Sequence, residues 1–134
     1  MNSSKWLRWL PSILWMAAIF YFSSRTGGDL GGWLDAIQRW IPMMAGFDWG
    51  HFVSYFILAL TYLWGLRPTV VSWAVKGLVV LLCLLYGVSD ELHQAFVPGR
   101  TPDVYDLRND TIGAVLAMLV CSVPAVRRFF EPKR

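Results

Sequence analysis

Charge is what this sequence has least of. Of its 134 residues only 16% are Asp, Glu, Lys or Arg, while 56% are hydrophobic. A soluble domain carries about 25% charged residues, so the composition is that of a membrane protein. The net charge is only +3. No basic cluster is interleaved with aromatics, which argues against nucleic acid as a partner. Cysteine is also scarce. Cys83 and Cys121 both fall inside apolar runs and read as small hydrophobes, not as a disulfide. No His-x-x-x-His or His-Glu-x-x-His spacing is present, and no serine or cysteine lies in a recognisable nucleophile motif. No metal and no cofactor is therefore assigned from motifs.

What is present is apolar and aromatic, with eight Trp and eight Phe. Four hydrophobic stretches, about 6–22, 50–66, 75–94 and 107–126, predict an all-α, four-transmembrane-helix bundle. Residues 1–134 are expected to form one domain. Lys5 and Arg8 precede the first stretch, as in a signal peptide. The residues that follow it, Ser23-Ser24-Arg25-Thr26, show no small-x-small cleavage pattern, so a retained span is expected. Each stretch falls short of the usual ~20 apolar residues. Polar or aromatic residues must then complete its ends at the interface.

Charge sets the orientation. With the N-terminus inside, Lys5, Arg8, Arg67, Lys76, Arg127, Arg128, Lys133 and Arg134 face the cytoplasm. Only Arg25, Arg39, Arg100 and Arg108 face outward. The positive-inside rule thus gives an N-in, C-in topology. Of the acids, only Glu131 falls inside. Because acids do not set orientation, their clustering is separate information and points to an extracytoplasmic functional face. In the first outer connection Trp33, Leu34, Ile37, Trp40 and Ile41 follow helical spacing. A short amphipathic interfacial helix is expected over about 32–41, ended by Pro42.

The best lead to function is an acidic step. The run Gly77–Ser89 is uncharged, and Asp90-Glu91 follows at once. Thirteen residues of helix cover only about 20 Å, against a bilayer core of about 30 Å. Either Lys76 snorkels from one side, or the two carboxylates lie below the surface on the other. Ionisable groups at such depth usually face a bundle interior or a wet cavity.

Other polar residues gather at the same predicted end. Ser23 and Ser24 close the first span. Asp48, His51 and Tyr55 open the second at i, i+3 and i+7, on one helix face. Glu91 and Gln94 close the third at i, i+3, and this spacing favours Glu91 over Asp90 as the buried acid. Asp106 and Asp110 open the fourth at i, i+4, followed on that face by Gly113. Pro98-Gly99 marks a turn that folds Arg100 back over the acids. Each group also has a structural reading. Asp106 and Asp110 suit a helix N-terminus. Ser23, Ser24 and His93 suit helix ends, Tyr55 a core or interface aromatic, and Arg100 a structural bridge to a carboxylate. Asp48, His51 and Glu91 are harder to explain as packing, because each is partly desolvated there.

These strings resemble the VanZ-like membrane protein family. The resemblance lies in Asp48-Trp49-Gly50-His51-Phe52-Val53-Ser54-Tyr55, in Ser89-Asp90-Glu91-Leu92-His93-Gln94-Ala95-Phe96-Val97-Pro98-Gly99-Arg100, and in Asp106 and Gly113. The Ser23-Ser24 ending of the first span is similar too. Glu-x-x-Gln-x-x-x-Pro-Gly-Arg is the most specific string. Two positions depart from the family pattern. Trp49 stands where a lysine is common, and Asp110 stands where an asparagine is common, with Asn109 one residue early. The resemblance implies a multi-pass protein of the bacterial cytoplasmic (inner) membrane, acting near cell-envelope precursors. The family is named for an accessory of glycopeptide resistance that is linked to teicoplanin sensitivity.

Three functions compete. One is a binding protein whose outer pocket takes an envelope lipid or glycan precursor, with membrane lipids around it. Its ligand-binding set is Asp48, His51, Tyr55, Glu91, Gln94, Arg100, Asp106 and Asp110. The second is a membrane-edge hydrolase or transferase using acid–base or divalent-metal chemistry, with Glu91, His51 and Asp106 as catalytic candidates. The third is a transporter, which the nearly apolar inner halves of the spans disfavour. The charge argument predicts that a reporter fused near Arg100 appears outside the cell. A cytoplasmic reporter would overturn the orientation.

Overall fold

The computed structural model describes residues 3–25 and 48–131 and, between them, Gly32, Ala36, Arg39 and Trp40. The expected interfacial helix over about 32–41 lies outside the described residues, apart from those four. The described chain is helical: α1 (Ser3–Leu7), α2 (Leu10–Ser23), α3 (Asp48–Leu66), α4 (Trp73–Gln94), α5 (Val104–Val120) and α6 (Pro124–Phe130). No strand occurs among the described residues.

Proline sets two of the helix breaks. Pro11 lies in the first turn of α2 and Pro124 in the first turn of α6. A proline ring clashes with the carbonyl four residues earlier. In the two cases that residue is Leu7, where α1 stops, and Val120, where α5 stops. The apolar stretches at about 6–22 and 107–126 are therefore not single straight helices. The second of them bends by 100° between α5 and α6. Arg67, at a φ of 39° and just before Pro68, ends α3 as the sequence suggests.

Among the described residues only α4 is by itself long and apolar enough to cross a membrane, with 22 residues and mean hydropathy 1.6. It reaches about 33 Å, slightly more than a bilayer core of about 30 Å. The bent pair α5 plus α6 passes the same test only when taken together.

The helices pack up and down. Ser23 of α2 meets Asp90 of α4 at one end. At the other end Trp9 lies against Tyr62, and Lys76 donates to Ser122 Oγ at 2.6 Å. The core between α3, α4 and α5 is built from Leu58, Ala59, Leu63, Val79, Cys83, Ala114 and Ala117, all fully buried. Both cysteines are free and buried there. Large apolar side chains face outward instead, among them Leu14, Phe22, Leu85, Leu92 and Leu119. Several polar ones face inward, including His51, Asp90, Gln94, Asn109 and Asp110.

α2 is tied to this core partly through hydrogen bonds. Trp15 Nε1 donates to the Ser54 carbonyl at 2.8 Å, and the Tyr86 hydroxyl donates to the Met16 carbonyl at 2.6 Å.

Gly113 lets α3 and α5 approach closely. A Cβ at this position would strike the main-chain carbonyl oxygen of Phe52. Gly87 does the same for α4, where a Cβ would lie 2.9 Å from Leu107 Cδ1 and 3.1 Å from Asp110 Oδ2. Gly113→Ala gains about 1 kcal/mol of helix propensity, but forcing apart packed backbones costs about 1–3 kcal/mol. The variant is expected to unfold at lower temperature in a common detergent. An unchanged or raised midpoint would contradict the close approach.

Candidate functional site

The polar residues of four helices meet at one end of the bundle. His51 sits in the first turns of α3 and is 7% exposed. Its Nδ1 lies 2.9 Å from Asp110 Oδ1, and its Nε2 lies 3.4 Å from Asp106 Oδ2. Asp106 and Asp110 fall one turn apart on α5, so both carboxylates flank one imidazole. As imidazolium the ring donates from both nitrogens. Asp103 caps α5 by accepting from the Tyr105 amide at 2.8 Å, which fixes where the first turn begins.

The end of α4 differs from the sequence expectation. Asp90, not Glu91, is the buried acid, at 3% exposure. Its Oδ2 accepts from Ser23 Oγ at 2.8 Å and from Gln94 Nε2 at 3.2 Å. Gln94 thus pairs at i, i+4 with Asp90, while the i, i+3 spacing had assigned it to Glu91. Glu91 is only partly buried. It accepts the Asp103 amide at 2.7 Å and ties the end of α4 to the start of α5. His93 is not simply exposed either. It stacks on Phe20 with ring centroids 4.0 Å apart, and its Nε2 lies 2.9 Å from Ser24 Oγ.

The link between α4 and α5 brings back Arg100. The Arg100 amide donates to the Val97 carbonyl at 3.1 Å, and Gly99 has a φ of 83°. Proline followed by a positive-φ glycine is the signature of a type II turn. Arg100 then lines a cavity of about 210 Å³ with His51, Ser54, Tyr55, Asp90 and Ser23. The α2 wall of that cavity is apolar: Trp15, Ala18, Ile19 and Phe22.

The predicted residues therefore divide. His51, Asp106 and Asp110 meet directly, and His51, Tyr55 and Arg100 share the cavity with Asp90, which was not among them. Gln94 supports Asp90, and Glu91 holds the turn. Asp48 opens α3, and its side chain lies outside the described residues. Asn109 is buried beside Asp110 but turns its carbonyl to Arg108, at 3.2 and 3.3 Å. At the family's asparagine position the chain thus has an acid, and that acid engages His51. Ser23 was read as a helix-end serine and acts as the donor to the buried acid. Its adjacency to a second helix is a tertiary fact with no local signal.

At this end of the bundle four buried side-chain oxygens have no hydrogen-bond partner among the described residues: Tyr55 Oη, Asp90 Oδ1, Glu91 Oε1 and Asp110 Oδ2. Such atoms cost about 1–3 kcal/mol each and more when charged; the three carboxylate oxygens mark where a proton donor is wanted, and the Tyr55 hydroxyl can take either role. Among the described residues no three His, Cys, Asp or Glu side chains form a metal-binding group.

Fold and cluster together define a small helical-bundle protein with ionisable residues gathered at one buried end. The chain belongs to the VanZ/LLP1 family, whose model matches residues 8–126. No curated protein and no solved structure matches it. Described residues that form helices and no strands, with one apolar helix of spanning length, are consistent with a membrane protein, as is membership of this family.

The assignment of Asp90 as the buried acid has a direct consequence. Ser23→Ala removes a donor from a buried carboxylate, and hydrogen bonds to charged groups are worth about 1.5–3 kcal/mol. Glu91→Gln keeps an acceptor for the Asp103 amide and should cost under about 1 kcal/mol. Thermal unfolding of the two variants is expected to rank them in that order. Equal losses would contradict it.

Proposed function

We propose that this chain is a single-domain, multi-pass protein of the bacterial cytoplasmic membrane whose extracytoplasmic end binds a cell-envelope lipid or glycan precursor. In this reading four spans, about 6–22, 50–66, 75–94 and 107–126, cross N-in and C-in. The bends at Pro11 and Pro124 lie at the cytoplasmic interface. Binding at the outer end modulates glycopeptide sensitivity by sequestering or presenting the precursor.

The observation that carries this reading is the cavity. One wall is apolar, from Trp15, Ala18, Ile19 and Phe22, and the other is polar, from Ser23, His51, Tyr55, Asp90 and Arg100. A pocket with both kinds of wall suits an amphiphile. The inverted distribution of polarity supports a lipid surround, since polar and ionisable groups face inward where the solvent is hydrocarbon. Arg100 is suited to a phosphate or carboxylate through its planar fork.

A second reading is favoured by one contact. The His51–Asp110 pair at 2.9 Å holds an imidazole in a fixed orientation at the cavity edge. That is the arrangement of a general acid–base. On this reading the protein is a membrane-edge hydrolase or transferase, and His51→Ala and Glu91→Gln abolish turnover of an envelope lipid.

Arg100→Ala separates folding from binding. Purified from native membranes, the variant is expected to remain folded and to lose most of its co-purifying lipid. Unchanged lipid retention would remove the binding reading. Turnover in a lipid-substrate screen that His51→Ala abolishes would move the conclusion to the enzyme.

A further inference from the structure

We propose that the cavity beside α2 receives the head of a zwitterionic amphiphile, with a primary ammonium against Asp90 and Tyr55 and the adjacent anionic group against Arg100. This rests on the lipid-binding reading and narrows it.

Size is the first argument. The cavity holds about 210 Å³, below the ~300–1,000 Å³ of typical small-molecule sites. That size matches a small head and the first part of a chain.

Charge is the second. Asp90, Glu91, Asp106 and Asp110 are gathered around His51 and Arg100. That excess of carboxylates opposes a polyanionic head and favours one that brings its own positive charge.

The hydrogen-bond inventory is the third. Asp90 is 3% exposed and Tyr55 is 1% exposed, and both line the cavity. Asp90 Oδ2 is occupied by Ser23 and Gln94, whereas Oδ1 and the Tyr55 hydroxyl have no partner among the described residues. An ionised carboxylate only accepts. The partner missing at Asp90 Oδ1 must therefore be a donor, which a primary ammonium supplies and a quaternary one does not; the Tyr55 hydroxyl, which both donates and accepts, can take a second N–H. On the opposite wall Trp15, Ile19 and Phe22 provide apolar surface for the chain joined to the head.

The test uses the full-length protein in lipid nanodiscs and native mass spectrometry. The discs hold equal amounts of phosphatidylethanolamine, phosphatidylcholine and phosphatidylglycerol with identical acyl chains. All three carry the phosphate, and only the first carries a primary ammonium. Retained phosphatidylethanolamine is expected to exceed each of the others by about tenfold, the size of one charge-assisted hydrogen bond. Asp90→Asn should bring that ratio close to one. Arg100→Gln should lower retention of all three lipids and keep the ratio. If Asp90→Asn does not fold, Tyr55→Phe is the substitute and should lower the ratio several-fold.

Excess soluble phosphoethanolamine should leave the lipid in place. Displacement by it would make the ligand a free amine and overturn the amphiphile. Equal or better retention of the choline or glycerol lipid, or a ratio unchanged in the folded acid variant, would also overturn the proposal. If no lipid of any kind is retained, it is the lipid-binding reading that fails.

Discussion

The arrangement depends on the contact between His51 and Asp110, and that contact depends on a missing side chain. Two polar groups on separate helices, both buried, come within 2.9 Å. They do so because α3 and α5 approach at Gly113, where nothing stands between the helix and the Phe52 carbonyl. Gly87 gives α4 the same freedom next to Asp110. Had either position carried a larger residue, the helices would separate and the imidazole would lose its carboxylate. Small residues at helix crossings are the common device where lipid removes the hydrophobic drive between helices. Here the same device assembles the site.

Burial then decides which polar contacts matter. A carboxylate out of water needs donors, and Asp90 receives two of them, one from α2 and one from its own helix. The Ser23 bond therefore fixes the end of α2 as well as satisfying an acid. With Trp15 bonded to α3 and Tyr86 bonded to the α2 backbone, the helix is held at several polar points. The cavity lies along this stretch, between the Trp15 and Ser23 anchors. Its mixed lining follows from that position: the α2 side is apolar because most of α2 faces outward, and the opposite side consists of the polar first turns and last turns of the other helices.

Much of this was legible in the sequence, and what was not has physical causes. The four apolar stretches and the polar ends were readable because hydrophobic periodicity and run length are local signals. Helical spacing put His51 on one face of its span and Asp106 and Asp110 on one face of theirs, and the shared predicted end brought the two groups together. The family strings pointed the same way. Sequence leaves Asp90 and Glu91 open, and the spacing that favours Glu91 misleads because i, i+3 and i, i+4 partners are both neighbours on a helix. Only the position of α2 decides between them, and nothing near residue 90 encodes it. The helix breaks at Pro11 and Pro124 were not legible as such, because hydropathy continues smoothly across both. Their steric effect falls four residues upstream, where the apolar run gives no sign of a break.

The central claim is that the cavity between α2 and the His51 cluster is a ligand site at the membrane edge. A structure of the protein determined in nanodiscs of native lipid tests it most directly. The account predicts density for an amphiphile, its chain along Trp15, Ile19 and Phe22 and its head between Asp90 and Arg100. A cavity holding water alone, with lipid ordered only elsewhere around the bundle, would contradict it.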